Sequence, residues 1–280
     1  MTLLVIVGYS WGGSGFGAYT SPIGQYQREK TVWDWLQLAG IPMVLAGLVW
    51  WLNRSEQSRQ TALALDRTRE ERLQSYLDQM TNLLEKGLTP LEGDHKLFTD
   101  PLRNLARVRT LTVLRDLDSS RKKIILYFLS NAGLISRRSP GISLVGADFV
   151  NCDLHYISLS DNDLSGVDFS GANLRSAVLA DVNLSVADLT NADLTGALLA
   201  DAVLEGTNLT GANLTGADLT GAHLYNPRNP SAPIDFSAKS ELTHANLTNA
   251  ILARAEIADD QLAQAKSLKG AIMPDGTRHD

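Results

Sequence analysis

The sequence predicts a mainly β chain, with a solenoid in its second half preceded by one transmembrane helix and a small α-helical connector domain. Three observations predict this. Leu or Phe recurs at every fifth residue from Leu144 to Leu224, and residues 33–52 read WDWLQLAGIPMVLAGLVWWL. The charge is also divided, with 18 Lys/Arg against 13 Asp/Glu over residues 1–141 and 6 against 16 over residues 142–270. A chain of 280 residues with formal charge −6 therefore contains two halves of different chemistry.

The period of five decides the second half. Five residues along an α-helix advance about 500°, leaving each repeat roughly 140° out of phase, and an odd step along a strand turns the side chain to the other face. Only a turn in every repeat restores the register. Of the 17 positions from Leu144 to Leu224, 15 are Leu, and two residues earlier Ala stands at 10 of the 16 positions from Ala147 to Ala222. Small residues beside large ones fill a narrow β interior. The remaining Asn/Asp, Ser/Thr and Gly residues are turn formers. Short segments joined at such corners stack as a solenoid, in which each coil buries its inner face against its neighbours.

The tandem words ADLTG, ANLTG and ANLRS resemble those of the pentapeptide-repeat proteins, over about residues 142–257. That resemblance implies a right-handed quadrilateral β-helix with four pentapeptides per square coil. After Leu224 the stretch YNPRNPSAPIDFSAKS carries three prolines, and the run resumes at Leu242, Leu247, Leu252 and Ile257. A loop over 225–241 and one closing coil are expected. Just over five coils at roughly 4.8 Å each give a rod of about 25 Å. ADDQLAQAKSLKG, with Asp259 as N-cap and Gly270 beyond it, predicts a helix over the open end, so residues 258–280 read as cap and tail.

A 20-residue coil also fixes which side chains stack. Asp148, Asp168 and Asp188 form one column and Asp161, Asp181 and Asp201 another, with neighbours about 5 Å apart. Two uses fit these columns: an acidic strip for a cation, a basic partner or an imitation of a phosphate backbone, and turn-forming carboxylates on a solvated surface.

In the first half, Leu36 to Leu52 is an uncharged core at the short end of what spans hydrocarbon. Trp33 and Trp35 flank one end and Trp50 and Trp51 the other, as side chains that prefer the membrane interface do. A buried helix of a soluble protein is the alternative, with Gln37, Gly40 and Pro42 in its favour. Arg54, Arg59, Arg67, Arg69 and Arg72 follow the segment, so the C-terminal side is expected to be cytoplasmic. Residues 1–32 read as a flexible tail. Its Gly8, Ser10 and Gly12 have the spacing of a hydrolase nucleophile elbow without the preceding sheet that gives the motif meaning.

The connector, residues 53–141, places Leu73, Tyr76, Leu77, Met80, Leu83 and Leu84 on one helical stripe, for dimerisation or for packing on its own domain. Asp100 and Pro101 open a second helix, and RKKIILYFLSNAG predicts a third that ends at Gly133. Arg103, Arg107, Arg109, Arg115, Lys122 and Lys123 lie in this interval, as contacts for anionic headgroups or a partner, or as a solvated face.

The single Cys152 excludes an intrachain disulfide, the five His residues lack ligand spacing, and the glycines sit at corners rather than in a phosphate loop. No catalytic residue, metal, cofactor or small-molecule substrate is expected. The order of parts resembles membrane-anchored pentapeptide-repeat proteins of cyanobacteria. That implies a non-catalytic scaffold or protein-interaction module, with the lipid bilayer and an unidentified protein as partners. The runner-up is a DNA mimic that binds topoisomerase, motivated by the Asp columns and the acidic second half. The anchor, the short rod and the basic connector count against it, and nucleic acid itself is not an expected partner.

Overall fold

A computed structural model describes residues 40–88, 101–138, 141–225 and 239–280. It contains helices α1 (Ile41–Glu85), α2 (Pro101–Asp116), α3 (Ser119–Asn131) and α4 (Asp259–Leu262), together with a β-helix built from parallel bridges. Two compact units divide between Arg67 and Thr68. The expected tail 1–32, the tryptophans Trp33 and Trp35, and loop residues 226–238 lie outside the described residues.

In the first unit α1 exposes its apolar start, with Met43 at 72%, Trp50 at 63% and Leu48 at 49% exposure. The helix does not stop at Leu52. Ser58 and Thr61 return their hydroxyls to the carbonyls of Arg54 and Gln57, so polar residues continue the same helix. Among the described residues no helix is long and apolar enough to cross a membrane. Among the described residues the uncharged run before Asn53 begins at Gly40, against about 20 residues for a span. Of the transmembrane helix expected over 33–52, the first part, 33–39, lies outside the described residues.

In the second unit the later turns of α1 bury Leu73, Tyr76, Met80 and Leu83, the spacing of one helical face. That face packs within the chain's own core cluster. Tyr76 and Thr110 share a buried hydrogen bond of 2.9 Å between α1 and α2, and burial pushes the Tyr76 hydroxyl well above its usual range. Asp118 caps α3 by accepting from the Arg121 N–H at 3.1 Å. Gly133, at φ +67°, turns the chain away after α3, and the Leu134 N–H returns to the Leu129 carbonyl at 3.0 Å.

The β-helix has four bridges per 20-residue coil: Asp148 to Asp168, Asp153 to Asn173, Ser158 to Val178 and Asp163 to Asn183 open the series. Each side contributes one bridge rather than a long strand. Every rung residue from Leu144 to Leu224 is 2% exposed or less, and Phe149 stacks on Phe169 with centroids 5.4 Å apart. At each corner the chain turns through a positive φ, from Gly146 to Gly221, at Gly or at a residue such as Asn151, Asp181 or Val186. The bridge partner changes from Val203 with His223 to Asn208 with Glu241, so thirteen extra residues leave the coil after Leu224.

The C-terminal cap differs from the helix expected there. Only Asp259–Leu262 is helical, and the residue that caps it is Ala258 rather than Asp259. Ser267 then bridges to Asn246 and Ile272 to Ile251, adding two rungs, and Arg278 returns antiparallel to Ile272. The physical reason is that Leu268 and Met273, five residues apart and partly buried, continue the solenoid's own period. The edge is thus covered by the returning tail.

Candidate interaction surface

The bridges put Asp148, Asp168 and Asp188 in one column, as the coil length requires. One oxygen of each carboxylate is committed to its own turn. Asp148 Oδ1 accepts from the Val150 N–H at 2.9 Å, Asp168 Oδ1 from the Ser170 N–H and hydroxyl, and Asp188 Oδ1 from the Thr190 N–H and hydroxyl. These are Asx turns, in which a short side chain replaces a backbone acceptor. The second column stands at corners, with Asp161, Asp181 and Asp201 at φ of 59°, 58° and 56°. Arg138 lies 3.4 Å from the Asp161 carboxylate, and Arg137 donates to the Asp181 carbonyl at 3.0 Å.

Adjacent sides interleave carboxylates with amides, a device the repeat alone does not announce. Asn173 donates to Asp153 at 2.8 Å and Asn183 to Asp163 at 3.0 Å, so neighbouring coils exchange a hydrogen bond where two carboxylates would repel. Hydrogen bonding from His155 holds Asp153 below the usual carboxylate range. For Asp193 burial acts upward, yet the bonds from Thr195 and Arg175 leave its carboxyl lowered.

The basic residues of the connector occupy specific places. Lys122, only 6% exposed, donates to the Asp148 carbonyl at 2.7 Å, and Lys123 donates to the His155 carbonyl at 2.8 Å. Arg103 donates to the Gly141 carbonyl at 3.3 Å and Arg107 to the Val145 carbonyl at 2.9 Å. Four of the six basic candidates therefore serve backbone oxygens of the first coil, which has no earlier coil to pair with. Of the six, Arg115 is exposed, Arg107, Arg109 and Lys123 are half-buried, and Arg103 and Lys122 are buried. Ser119 Oγ accepts from the Asp153 N–H at 2.6 Å, and the Arg137 N–H reaches the Asp161 carbonyl at 2.7 Å, completing the same edge.

Two features were not foreseen from sequence. Gln261, 1% exposed, donates to the carbonyls of Leu224 and Ser240 at 3.1 and 2.9 Å and accepts from the Ala258 N–H, joining the points where the loop leaves and returns. Val178, Leu198, Ile251 and Ile272 stand at outward bridge positions of the third side, where other sides carry mainly Asp or Asn. The 20-residue register, applied to the position before each inward Leu, would have found the stripe. A groove of about 570 Å³ between α3 and the first coil is lined by Ile124, Tyr127, Phe128, Lys123 and His155 among others. Among the described residues no group of three or more His, Cys, Asp or Glu is placed to hold a metal ion.

Four-sided coils of five residues per side define a β-solenoid of short repeats. The family model for pentapeptide repeats matches in eight copies over residues 142–181 and 187–224, and the chain belongs to the pentapeptide-repeat family. Among solved structures it is similar to the pentapeptide repeat protein Rfr23 from the cyanobacterium Cyanothece 51142, at 30% identity, covering 37% of this chain and 61% of that one with a TM-score of 0.31. A pentapeptide repeat protein from the thylakoid lumen of Arabidopsis thaliana is 29% identical, with 43% and 72% covered and a TM-score of 0.32. One from Nostoc Pcc 7120 is 32% identical, with 42% and 84% covered and a TM-score of 0.22. The chain thus spans about 61% of the length of Rfr23. No curated protein matches.

Proposed function

We propose that the chain is a non-catalytic scaffold, held at a membrane by the apolar segment around residues 33–52 and presenting its β-helix to cytoplasmic protein partners. The observation that carries the reading is the state of the outward side chains. Asp168, Asp188, Asp193 and Asp218 each bond the backbone two residues ahead, so the sides are flat and fixed. Such surfaces suit docking. The membrane part is supported by Met43, Val44, Trp50 and Trp51, all more than half exposed, and by the arginines that follow. Carbonate extraction of native membranes followed by protease protection tests it. The chain is expected in the pellet with its repeats accessible from the cytoplasmic side, whereas release into the supernatant contradicts the anchor.

A second reading, a DNA mimic that binds topoisomerase, is favoured by the three carboxylates stacked from Asp148 to Asp188. Lys122 at 3.4 Å from Asp148 and the amide ladders of the neighbouring sides count against it. Full-length chain added to a gyrase supercoiling assay is expected to leave the rate unchanged, and inhibition would favour this reading.

A further inference from the structure

The third side of the coils departs from the rule of the others. Elsewhere the residue before an inward Leu or Phe and the residue after it commonly form a bonded pair, as Asp168 with Ser170, Asp188 with Thr190 and Asn213 with Thr215 do. On the third side four of the six pairs are apolar, Val178 with Ala180, Leu198 with Ala200, Ile251 with Ala253 and Ile272 with Pro274, while Ser158 with Ser160 and the bonded Asp218 with Thr220 are polar. Both members change together. Each change gives up a side-chain bond to the backbone, worth about 1 kcal/mol, and places aliphatic carbon outside, with Leu198 46% exposed. Bridges join Val178 to Leu198 and Ile251 to Ile272, leaving Asp218 as the one polar rung between the two pairs. These side chains stand on the outer face, Leu198 exposed and Val178, Ile251 and Ile272 half-buried, and a covering partner would account for them.

The edges of the stripe identify that partner. Along one corner run Asp181 and Asp201, both exposed, followed by Gly221 and the exposed Arg254, and along the other Ser176, Gly196 and Gly216, small and uncharged, so the negative charge lies beside Val178 and Leu198. From Val178 to Ile272 the stripe climbs four coil steps, about 19 Å long, and one side is about 10 Å wide. That footprint is the diameter of an α-helix and the length of about 13 helical residues. It is also far below the ~800 Å² per partner of a stable interface between globular copies, which argues against a second copy of this chain. We propose that this side docks a single amphipathic helix of a partner protein, whose aliphatic ridge covers Val178 and Leu198 and whose Lys or Arg flank lies over Asp181 and Asp201. The inference rests on the scaffold reading and names the surface and the partner's chemistry.

The probe is a labelled synthetic 14-residue helix of Leu and Ala with lysines on one flank, titrated with the full-length chain in the presence of zwitterionic nanodiscs and followed by anisotropy. Val178→Ser/Leu198→Ser is expected to weaken binding at least ten-fold, and Thr190→Ala on the first side to leave it unchanged. Asp201→Arg reads the charge independently and leaves the stripe intact, because Arg254 already stands at the same corner with φ 59°. It should weaken the Lys-flanked peptide and strengthen a Glu-flanked twin. Equal binding to wild type and the double-serine variant overturns the proposal, as does concentration-dependent dimerisation abolished by that variant. Failure here leaves docking on another side open to direct partner recovery, so the two readings fail separately.

Discussion

Lys122 Nζ lies 2.7 Å from the carbonyl oxygen of Asp148 and 3.4 Å from its carboxylate, so one buried cation from α3 serves both the backbone and the side chain of the first coil. Lys122→Met removes the donor and leaves an oxygen with no earlier coil to satisfy it. A loss of about 2 kcal/mol is expected by urea unfolding. Arg115→Ala, at an exposed position, should stay within about 0.5 kcal/mol. Equal effects would contradict the assignment of these basic residues to the coil edge.

Corner residues give predictions of opposite sign. Val186 holds φ 59°, which a β-branched residue adopts at a cost, and its side chain is 63% exposed. Val186→Asn should stabilise by about 1 kcal/mol. Gly171, by contrast, has φ +65° and a Cβ added there would overlap Asn151 Oδ1 in the preceding coil. Gly171→Ala should cost about 2 kcal/mol or more. Calorimetric melting checks both, and the same sign for the two changes would be a failure.

Much of the solenoid was legible because its determinants are local and repeated. Leu144 to Leu224 point inward, and turns recur because an odd step cannot otherwise restore register. The α1 stripe of Leu73, Tyr76, Met80 and Leu83 was legible for the same reason. What escaped depends on relations between distant segments. Lys122 and Arg107 look like surface charge until the unpaired carbonyls of the first coil are placed beside them. The stretch after Asp259 has helical spacing over a short window, but Leu268 and Met273 gain more by extending the β-helix. The bridges place Asp148, Asp168 and Asp188 in one column, and the use of their Oδ1 atoms in turns needed coordinates.

Gln261 closes the coil where residues leave at Leu224 and return at Ser240. Gln261→Ala removes both donated bonds and the one accepted from Ala258, at an expected cost of about 2 kcal/mol. The effect should be local. Amide exchange is expected to accelerate at residues 240–265 and to stay unchanged in the coils around Leu174, and uniform acceleration would contradict a closing role.

Asp118 provides the pH dependence. Burial acts to raise its pKa, but the Arg121 N–H and side chain and the nearby Arg69 leave it below the usual carboxylate range. A depressed folded-state pKa adds stability that is present above the unfolded value and lost as pH falls through the folded one. Asp118→Ala should therefore cost about 1 kcal/mol at pH 7, as lost N-caps do, with the difference from wild type shrinking below about pH 4. Chemical denaturation at several pH values measures this, and a difference that grows on acidification would refute it.

The central claim is that a membrane-held β-helix recruits protein. Its most direct measurement is purification of the full-length chain from native membranes by a C-terminal tag, with quantitative comparison against a tagged version ending at Arg67. The account predicts at least one protein enriched with the full chain and absent from the truncated control. Identical recovery from both, after cross-linking to retain weak contacts, would contradict it.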